Sequence, residues 1–218
     1  MISRLLAASA LVSMSLLGLS PSIVNAGVVT SLPGGDLVPF PVLNYMGAGP
    51  KTFDNSDVTW SSSTGSSVFG WNQIYSFDAS QNNGKWNGLD MIGLNAVTGT
   101  MTLAFADPVA GVGGFLNYSP NRDSLTTIAV YDAGKNLLDS FNLTFTTDLS
   151  QDNQGEFWGF LESTADIKYF TLTNNQIGLT DFTVLAQAPP PSGVPEPGTL
   201  ALLGAALAGI GIRRRSLR

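Results

Sequence analysis

Carboxylates are the residues of this chain best suited to chemistry, because histidine and cysteine are both absent from its 218 residues. Their absence excludes Ser-His-Asp and Cys-His nucleophile systems, His or Cys zinc sites, haem, iron–sulfur clusters and disulfides. Glycoside hydrolysis remains, since it needs only two carboxylates. Its candidates, Glu156 and Glu162, flank an apolar strand and would lie ~20 Å apart along it, against the ~5 to 10 Å that these enzymes use. We therefore predict no enzyme, although a pairing with an aspartate elsewhere stays open.

Calcium is the candidate cofactor, because it takes hard oxygen ligands and a secreted protein meets it at millimolar concentration. One cluster of such ligands is Asp54-Asn55-Ser56-Asp57, and the second, better one comprises Asp148, Asp152, Asn153 and Glu156. The second cluster lacks the spacing of an EF-hand loop. Solvated turns are the alternative interpretation of both clusters.

Aromatic side chains are candidates for stacking on sugar rings. The predicted contacts are Trp71, Trp86 and Trp158, with Trp60 and Tyr118 as further residues of interest. Trp71 and Trp86 lie among asparagines and glutamine, a mixture of flat apolar faces and amide groups that suits polyols. The alternative is that these rings fill the core.

The elements that would position these residues are β-strands. Met101, Leu103 and Phe105 alternate with small residues, which predicts a strand that ends at Asp107-Pro108. About nine such segments follow one another at short spacing; the others are Val68–Phe77, Leu89–Leu94, Val109–Tyr118, the strand marked by Ile128 and Val130, the return strand through Phe141, Leu143 and Phe145, Phe157–Leu161, Ile167–Thr173 and Leu179–Leu185. This pattern favours a mainly β protein, an antiparallel sandwich of jelly-roll type.

Two short segments are predicted to be turns or loops. The strand of Ile128 is joined to the return strand by the turn Asp132-Ala133-Gly134-Lys135. Gly134 is predicted to adopt the positive φ of this turn, because glycine does so with little steric cost. The polar run 61–67 is predicted to be a loop.

The N-terminal segment 1–26 has the features of a secretory signal peptide. Arg4 precedes an apolar run from Leu5 to Leu19, and the segment ends on the small residue Ala26. Cleavage between Ala26 and Gly27 would leave Gly27 at the mature N-terminus. The apolar run is too short for the ~20 residues of a membrane span.

The C-terminal end is built of consecutive segments with different compositions. A linker, 189–194, contains three prolines and follows the predicted sandwich domain 27–188. The final segment, 195–218, begins with Pro195, Glu196 and Pro197, continues with the uncharged run Thr199–Ile212, and ends with a basic cluster whose members are Arg213, Arg214, Arg215 and Arg218. A helix of 14 residues rises ~21 Å, short of the ~30 Å hydrocarbon core, so the predicted transmembrane helix is marginal as a permanent anchor. The arginines would hold its end on the cytoplasmic side.

This order of a Pro-Glu-Pro tripeptide, a short apolar helix and a terminal arginine cluster resembles the PEP-CTERM sorting signal of Gram-negative bacteria. The resemblance implies that Pro195, Glu196 and Pro197 are read by a membrane protease-transpeptidase, an exosortase. It also implies a transient stay in the inner membrane, delivery to the cell surface or medium, and a host that makes extracellular polysaccharide. An ordinary tail anchor would explain the helix and the arginines but not the tripeptide.

The body between the two ends resembles the carbohydrate-module-like sandwich of many PEP-CTERM proteins. The segments that carry this resemblance are Leu103–Phe105, Val112–Tyr118, Val130–Asp132, Phe157–Phe160, Ile167–Leu172 and Thr180–Val184. They are strands and turns without a chemical motif, so they bear on fold and not on activity.

Charge limits the partners of the body. Residues 27–194 hold five cations against 15 acids, a net charge of −10, which repels phosphate backbones and excludes nucleic acid as a predicted partner. The sequence as a whole predicts a non-catalytic surface or matrix protein that associates with exopolysaccharide or biofilm. A lectin-like module with a defined glycan is the alternative.

Overall fold

The computed structural model describes residues 27–54, 56–77, 83–120 and 124–188. The predicted signal helix, the linker and the sorting segment lie outside these ranges. Within them every regular element is a strand, and no helix is long and apolar enough to cross a membrane.

Sixteen strands are described. In chain order they are β1 (Gly27–Val29), β2 (Asp36–Leu37), β3 (Tyr45–Met46), β4 (Lys51–Thr52), β5 (Val58–Ser62), β6 (Val68–Trp71), β7 (Tyr75–Ser76), β8 (Lys85–Trp86), β9 (Met91–Gly93), β10 (Thr100–Val109), β11 (Gly111–Asn117), β12 (Thr127–Tyr131), β13 (Leu137–Asn142), β14 (Glu156–Leu161), β15 (Ile167–Thr173) and β16 (Gly178–Leu185).

The strands form two main sheets whose strand pairs are all antiparallel. The larger sheet has the order β1-β14-β11-β16-β9-β6-β3, and β2 also pairs with β16. The smaller has the order β13-β12-β15-β10-β5-β4, and β7 and β8 form a separate two-stranded ribbon. The predicted antiparallel β-sandwich is confirmed.

Alternation along the strands supplies the core between the sheets. Met101, Leu103 and Phe105 of β10 are buried, whereas the residues between them are half-buried. Period-two strands place alternate side chains on opposite faces, so one face of each strand enters the core. Aromatic rings dominate there; Phe53, for example, meets Phe69 edge-on at a centroid distance of 5.1 Å.

Four local predictions need correction. Strand β10 continues to Val109 instead of ending at Asp107-Pro108, because an irregularity between Ala104 and Val109 accommodates Pro108, which has no N–H for the ladder. The segment Val68–Phe77 is two strands, β6 and β7, because the chain leaves the ladder after Trp71, where the backbone N–H of Asn72 donates to the side-chain oxygen of Asn44.

The other two corrections concern the turn and the polar run. In the hairpin of β12 and β13 the positive φ of 62° falls on Lys135 and not on Gly134. Asp132 fixes that turn, since its carboxylate accepts hydrogen bonds from the backbone N–H and the side-chain amide of Asn136. Ser61 and Ser62 belong to β5, which lies between β10 and β4.

Candidate functional site

The outer face of the larger sheet presents an aromatic pair that the sequence analysis did not single out. Phe115 on β11 and Phe157 on β14 are direct register partners, and their rings meet edge-on at a centroid distance of 5.8 Å. Phe115 is 42 % exposed, although it lies in a strand of otherwise buried residues. The sequence already indicated that Phe115 faces outward, because period-two alternation places it on the face of the strand opposite Val112 and Leu116.

A glycine provides the space for this pair. A Cβ atom on Gly113 would lie 3.0 Å from Cε1 of Phe157, so the Phe157 ring lies over this glycine. The same Cβ atom would lie 2.9 Å from the carbonyl oxygen of Trp158, so a side chain at Gly113 would collide with the backbone of β14 as well as with the ring.

A carboxylate lies next to the aromatic pair because β16 contains a bulge. Thr180 is the register partner of Phe115, and the register shifts between this pair and the next pair, Gly113 and Thr183. The extra residue, Asp181, is exposed and has a φ of 48°, a left-handed value that is costly for a residue with a Cβ. Bulges of this type re-aim side chains, and here an acid is directed outward beside Phe115.

The three predicted sugar-contacting tryptophans have different environments. Trp86 is 1 % exposed, packs edge-on against Phe77 at 4.9 Å, and donates its indole N–H to the carbonyl of Gln154. The prediction for Trp86 is therefore wrong, because no face of its ring reaches solvent. Trp60 and Tyr118 are likewise core residues.

Trp158 is half-buried, and one face of its indole is covered. Its ring stacks on Phe141 at a centroid distance of 4.6 Å and an interplanar angle of 20°. The indole N–H donates to the Glu156 carboxylate at 3.1 Å. The ring also packs against the core, and sugar contact by Trp158 stays a prediction.

Trp71 is half-buried at the end of β6. Its indole N–H donates to the carbonyl of Ile74, and the side-chain amide of Asn72 donates to the carboxylate of Asp90. The Asn72 amide also donates to the carbonyl of Gly88, so its oxygen remains as an acceptor; Asn72 adjoins Trp71, and Asp90 adjoins Met91, the register partner of Trp71.

The four predicted calcium ligands each have a separate partner. Asp148 accepts from the N–H and hydroxyl of Ser150, and these hydrogen bonds hold the pKa of Asp148 below its usual value. Asp152 pairs with Lys85 at 3.6 Å, Asn153 exchanges hydrogen bonds with the backbone of Asn87, and Glu156 accepts from Trp158. Calcium binding by this set stays a prediction.

Carboxylates also line a shallow cleft at the side of the sandwich. Asp36, Asp57 and Asp107 surround a volume of about 250 Å³ whose apolar lining includes Phe105 and Val184. Asp57 belongs to the first predicted calcium cluster, of which Asn55 lies outside the described residues. Across the described ranges no three acidic side chains come close enough together to hold a metal ion.

The two glutamates considered for glycoside cleavage lie at opposite ends of β14. Glu156 is exposed at its start, whereas Glu162 follows its last residue and is 8 % exposed. Burial is the main cause that raises the pKa of Glu162, and the negative charges of Asp166 and Asp139 add to it. One carboxylate oxygen of Glu162, Oε1, is buried without a hydrogen-bond partner.

Comparison with known proteins gives one positive finding. Residues 193–215 match the model of the PEP-CTERM protein-sorting motif. A search of curated proteins finds no match to the chain. The match covers the tripeptide, the apolar run and the first three arginines, so all three parts of the predicted signal are present in order. The chain thus carries a PEP-CTERM sorting motif on an antiparallel β-sandwich body, and this motif marks an exported exosortase substrate destined for the cell surface or the medium.

Proposed function

We propose that this protein is a non-catalytic surface or matrix protein whose sandwich associates with extracellular polysaccharide. The observation that carries the proposal is the pair of exposed Phe115 and half-buried Phe157 on the outer face of the larger sheet, with the exposed Asp181 in the neighbouring strand. Aromatic faces take the apolar side of a sugar ring, and a carboxylate accepts hydrogen bonds from its hydroxyl groups.

Charge supports a polysaccharide over a second copy of the same chain. The body has a net charge of −10, so two copies repel each other, whereas a neutral or cationic glycan meets no such repulsion. The residues around the aromatic pair on the same face are threonines, glycines and aliphatic side chains, which add no further charge beside Asp181.

Co-sedimentation of the purified chain with polysaccharide from its host tests the proposal. We expect the double variant Phe115→Ala/Phe157→Ala to bind about tenfold more weakly, since loss of the aromatic contacts costs about 1 to 2 kcal/mol. Leu125→Ala is the matched control, because Leu125 is 67 % exposed and lies outside this face. Equal binding by the double variant and the control would reject this face as the contact.

A lectin-like site with a defined glycan is the second candidate, and Trp71 favours it. This tryptophan combines a half-exposed ring with the acceptor oxygens of Asn72 and Asp90. A glycan array separates the two candidates, since a lectin selects one oligosaccharide and loses it in Trp71→Ala. A matrix protein that binds through the aromatic face retains its binding in that variant.

A further inference from the structure

The first described strand places Gly27 next to the buried glutamate. Strand β1 begins at Gly27, which is the register partner of Leu161, the last residue of β14. Register partners in an antiparallel pair lie about 5 Å apart, so the N-terminal end of β1 lies at the C-terminal end of β14, which Glu162 follows. The α-nitrogen of Gly27 is therefore directed to the end of β14 where Glu162 lies.

The surroundings of Glu162 contain acids but no matching cation. Asp139 comes from β13, which lies beside β1, and Asp166 comes from the turn before β15. Lys135 and Lys168 are the lysines nearest in sequence to Asp139 and Asp166, but Lys135 lies over the Tyr169 ring and Lys168 donates to the carbonyl of Ala106. In the described ranges the one ion pair is that of Lys85 with Asp152, so Glu162 has no cationic partner there.

We propose that Glu162 is the binding site for the α-ammonium group that signal-peptide removal creates on Gly27. Hydrolysis of the Ala26–Gly27 bond by a signal peptidase adds water, leaving a carboxylate on Ala26 and an amine on Gly27. An α-amino group has an ordinary pKa of about 7.7 to 8.0, so it is mostly protonated at neutral pH. The new cation lies beside three carboxylates and pairs with the one that is buried.

This pairing links removal of the signal peptide to the stability of the folded chain. Before cleavage the nitrogen of Gly27 belongs to an uncharged peptide group, and the buried carboxylate of Glu162 has no compensating charge. After cleavage the ammonium supplies hydrogen-bond donors to Oε1 and lowers the cost of ionising Glu162. Strand β1 already pairs with β14 in the full chain, and the new ion pair strengthens this attachment to the edge of the larger sheet.

The test uses the exported chain purified from its host. Mass spectrometry first identifies its N-terminal residue, and a terminus other than Gly27 overturns the proposal. The pKa of the α-amine is then measured from the pH dependence of its acylation. We expect a value at least one unit above the ordinary range in the parent chain, which slows acylation near neutral pH about tenfold. In Glu162→Gln, where only Asp139 and Asp166 remain, we expect most of this rise in the pKa of the α-amine to be lost.

A second measurement asks whether the two groups act together. Selective transamination removes the α-ammonium from the folded chain, and urea unfolding is compared with and without this treatment. Glu162→Gln should lower the unfolding midpoint when the ammonium is present and raise it when the ammonium is absent, because the carboxylate then has no partner. Glu156→Gln, at the other end of β14, is the control and should respond identically in both forms. An ordinary α-amine pKa in the parent chain, or the same effect of Glu162→Gln in both forms, would overturn the proposal.

Discussion

The C-terminal sorting segment and the sandwich body carry their information in different ways. The segment 193–215 is read as a contiguous order of residues, a tripeptide followed by an apolar run and arginines. The features of the body arise only when distant strands are set in register, as when β11 and β14 bring Phe115 to Phe157 and β1 brings Gly27 to the end of β14. The sorting motif can therefore be recognised directly in the sequence, whereas a site that depends on strand register can be recognised only in the folded structure.

Loss of the tripeptide should abolish the function of the sorting segment and leave the sandwich body unaffected. Replacing Pro195, Glu196 and Pro197 by alanines leaves the apolar run and the four arginines of the tail unchanged. We expect a complete block of C-terminal processing and accumulation of uncut precursor in the inner membrane, because an apolar run of 14 residues is sufficient to present a substrate but short for a permanent span. Immunoblotting of membrane and medium fractions from the native host measures this.

The control for the tripeptide variant is replacement of Pro189, Pro190 and Pro191 by alanines. These prolines precede the matched residues, so this variant should be processed normally. Normal processing of the tripeptide variant would restore a simple tail anchor.

The stability of the sandwich body should depend on its buried aromatic side chains. Trp60 is fully buried on β5 and packs against Phe69 at a centroid distance of 5.2 Å. We expect Trp60→Ala to lower the free energy of unfolding by about 3 to 5 kcal/mol, through lost burial and the cavity that remains. Urea unfolding of the purified chain measures it, with half-exposed Trp71→Ala as the control that should cost much less. Similar costs for the two variants would contradict the described core.

The bulge at Asp181 should give a smaller effect of opposite sign. Asp181→Gly relieves the left-handed backbone at a φ of 48° and should stabilise the fold by about 0.5 to 1 kcal/mol, because glycine adopts this conformation without a steric penalty. The same variant should bind host polysaccharide more weakly, since the carboxylate is lost. Unfolding and co-sedimentation are measured together, and a variant that loses stability while retaining full binding would show that the bulge has no part in the site.

The sequence predicted the sandwich because period-two alternation is a local property. Ile167–Thr173 was predicted with the bounds that the structure gives, and Phe157–Leu161 differs by one residue. The strand β5 was missed because Ser61 and Ser62 continue into a polar run and resemble a loop. Its place beside β10 comes from tertiary pairing, which local propensity does not report.

The candidate sites were harder to predict for a physical reason. Trp86 lies among polar residues in the sequence, and yet its ring is buried. Its polar neighbours form hydrogen bonds elsewhere; the backbone N–H of Asn87, for example, donates to the side-chain oxygen of Asn153. Glu162 was identified from the sequence only as a carboxylate at the end of a strand. Its burial and its two acidic neighbours could not be predicted, because they come from separate elements. Only period two could have identified Phe115 as an outward-facing residue.

The smallest expected effect is a pH dependence that separates the two ends of β14. Burial and the charges of Asp166 and Asp139 raise the pKa of Glu162 in the folded chain above its ordinary value of 4.5. Between the ordinary and the raised pKa the folded state binds this proton more tightly than the unfolded state, so stability falls as pH rises through this window. The loss of stability caused by ionising Glu162 is absent below the ordinary pKa and complete above the raised pKa.

This pH dependence is measured on the chain whose α-amine has been removed, so that no ammonium compensates the carboxylate. Unfolding midpoints in urea are compared for the parent chain and Glu162→Gln between about pH 4 and pH 7, because the difference between them cancels the titration of all other acids. The parent should lose stability relative to Glu162→Gln as pH rises. The exposed Glu156, replaced by glutamine in the same chain, should give no comparable divergence. Curves for the parent and Glu162→Gln that stay parallel across this range would mean that Glu162 titrates as an ordinary surface acid, and the contrast between the two ends of β14 would be lost.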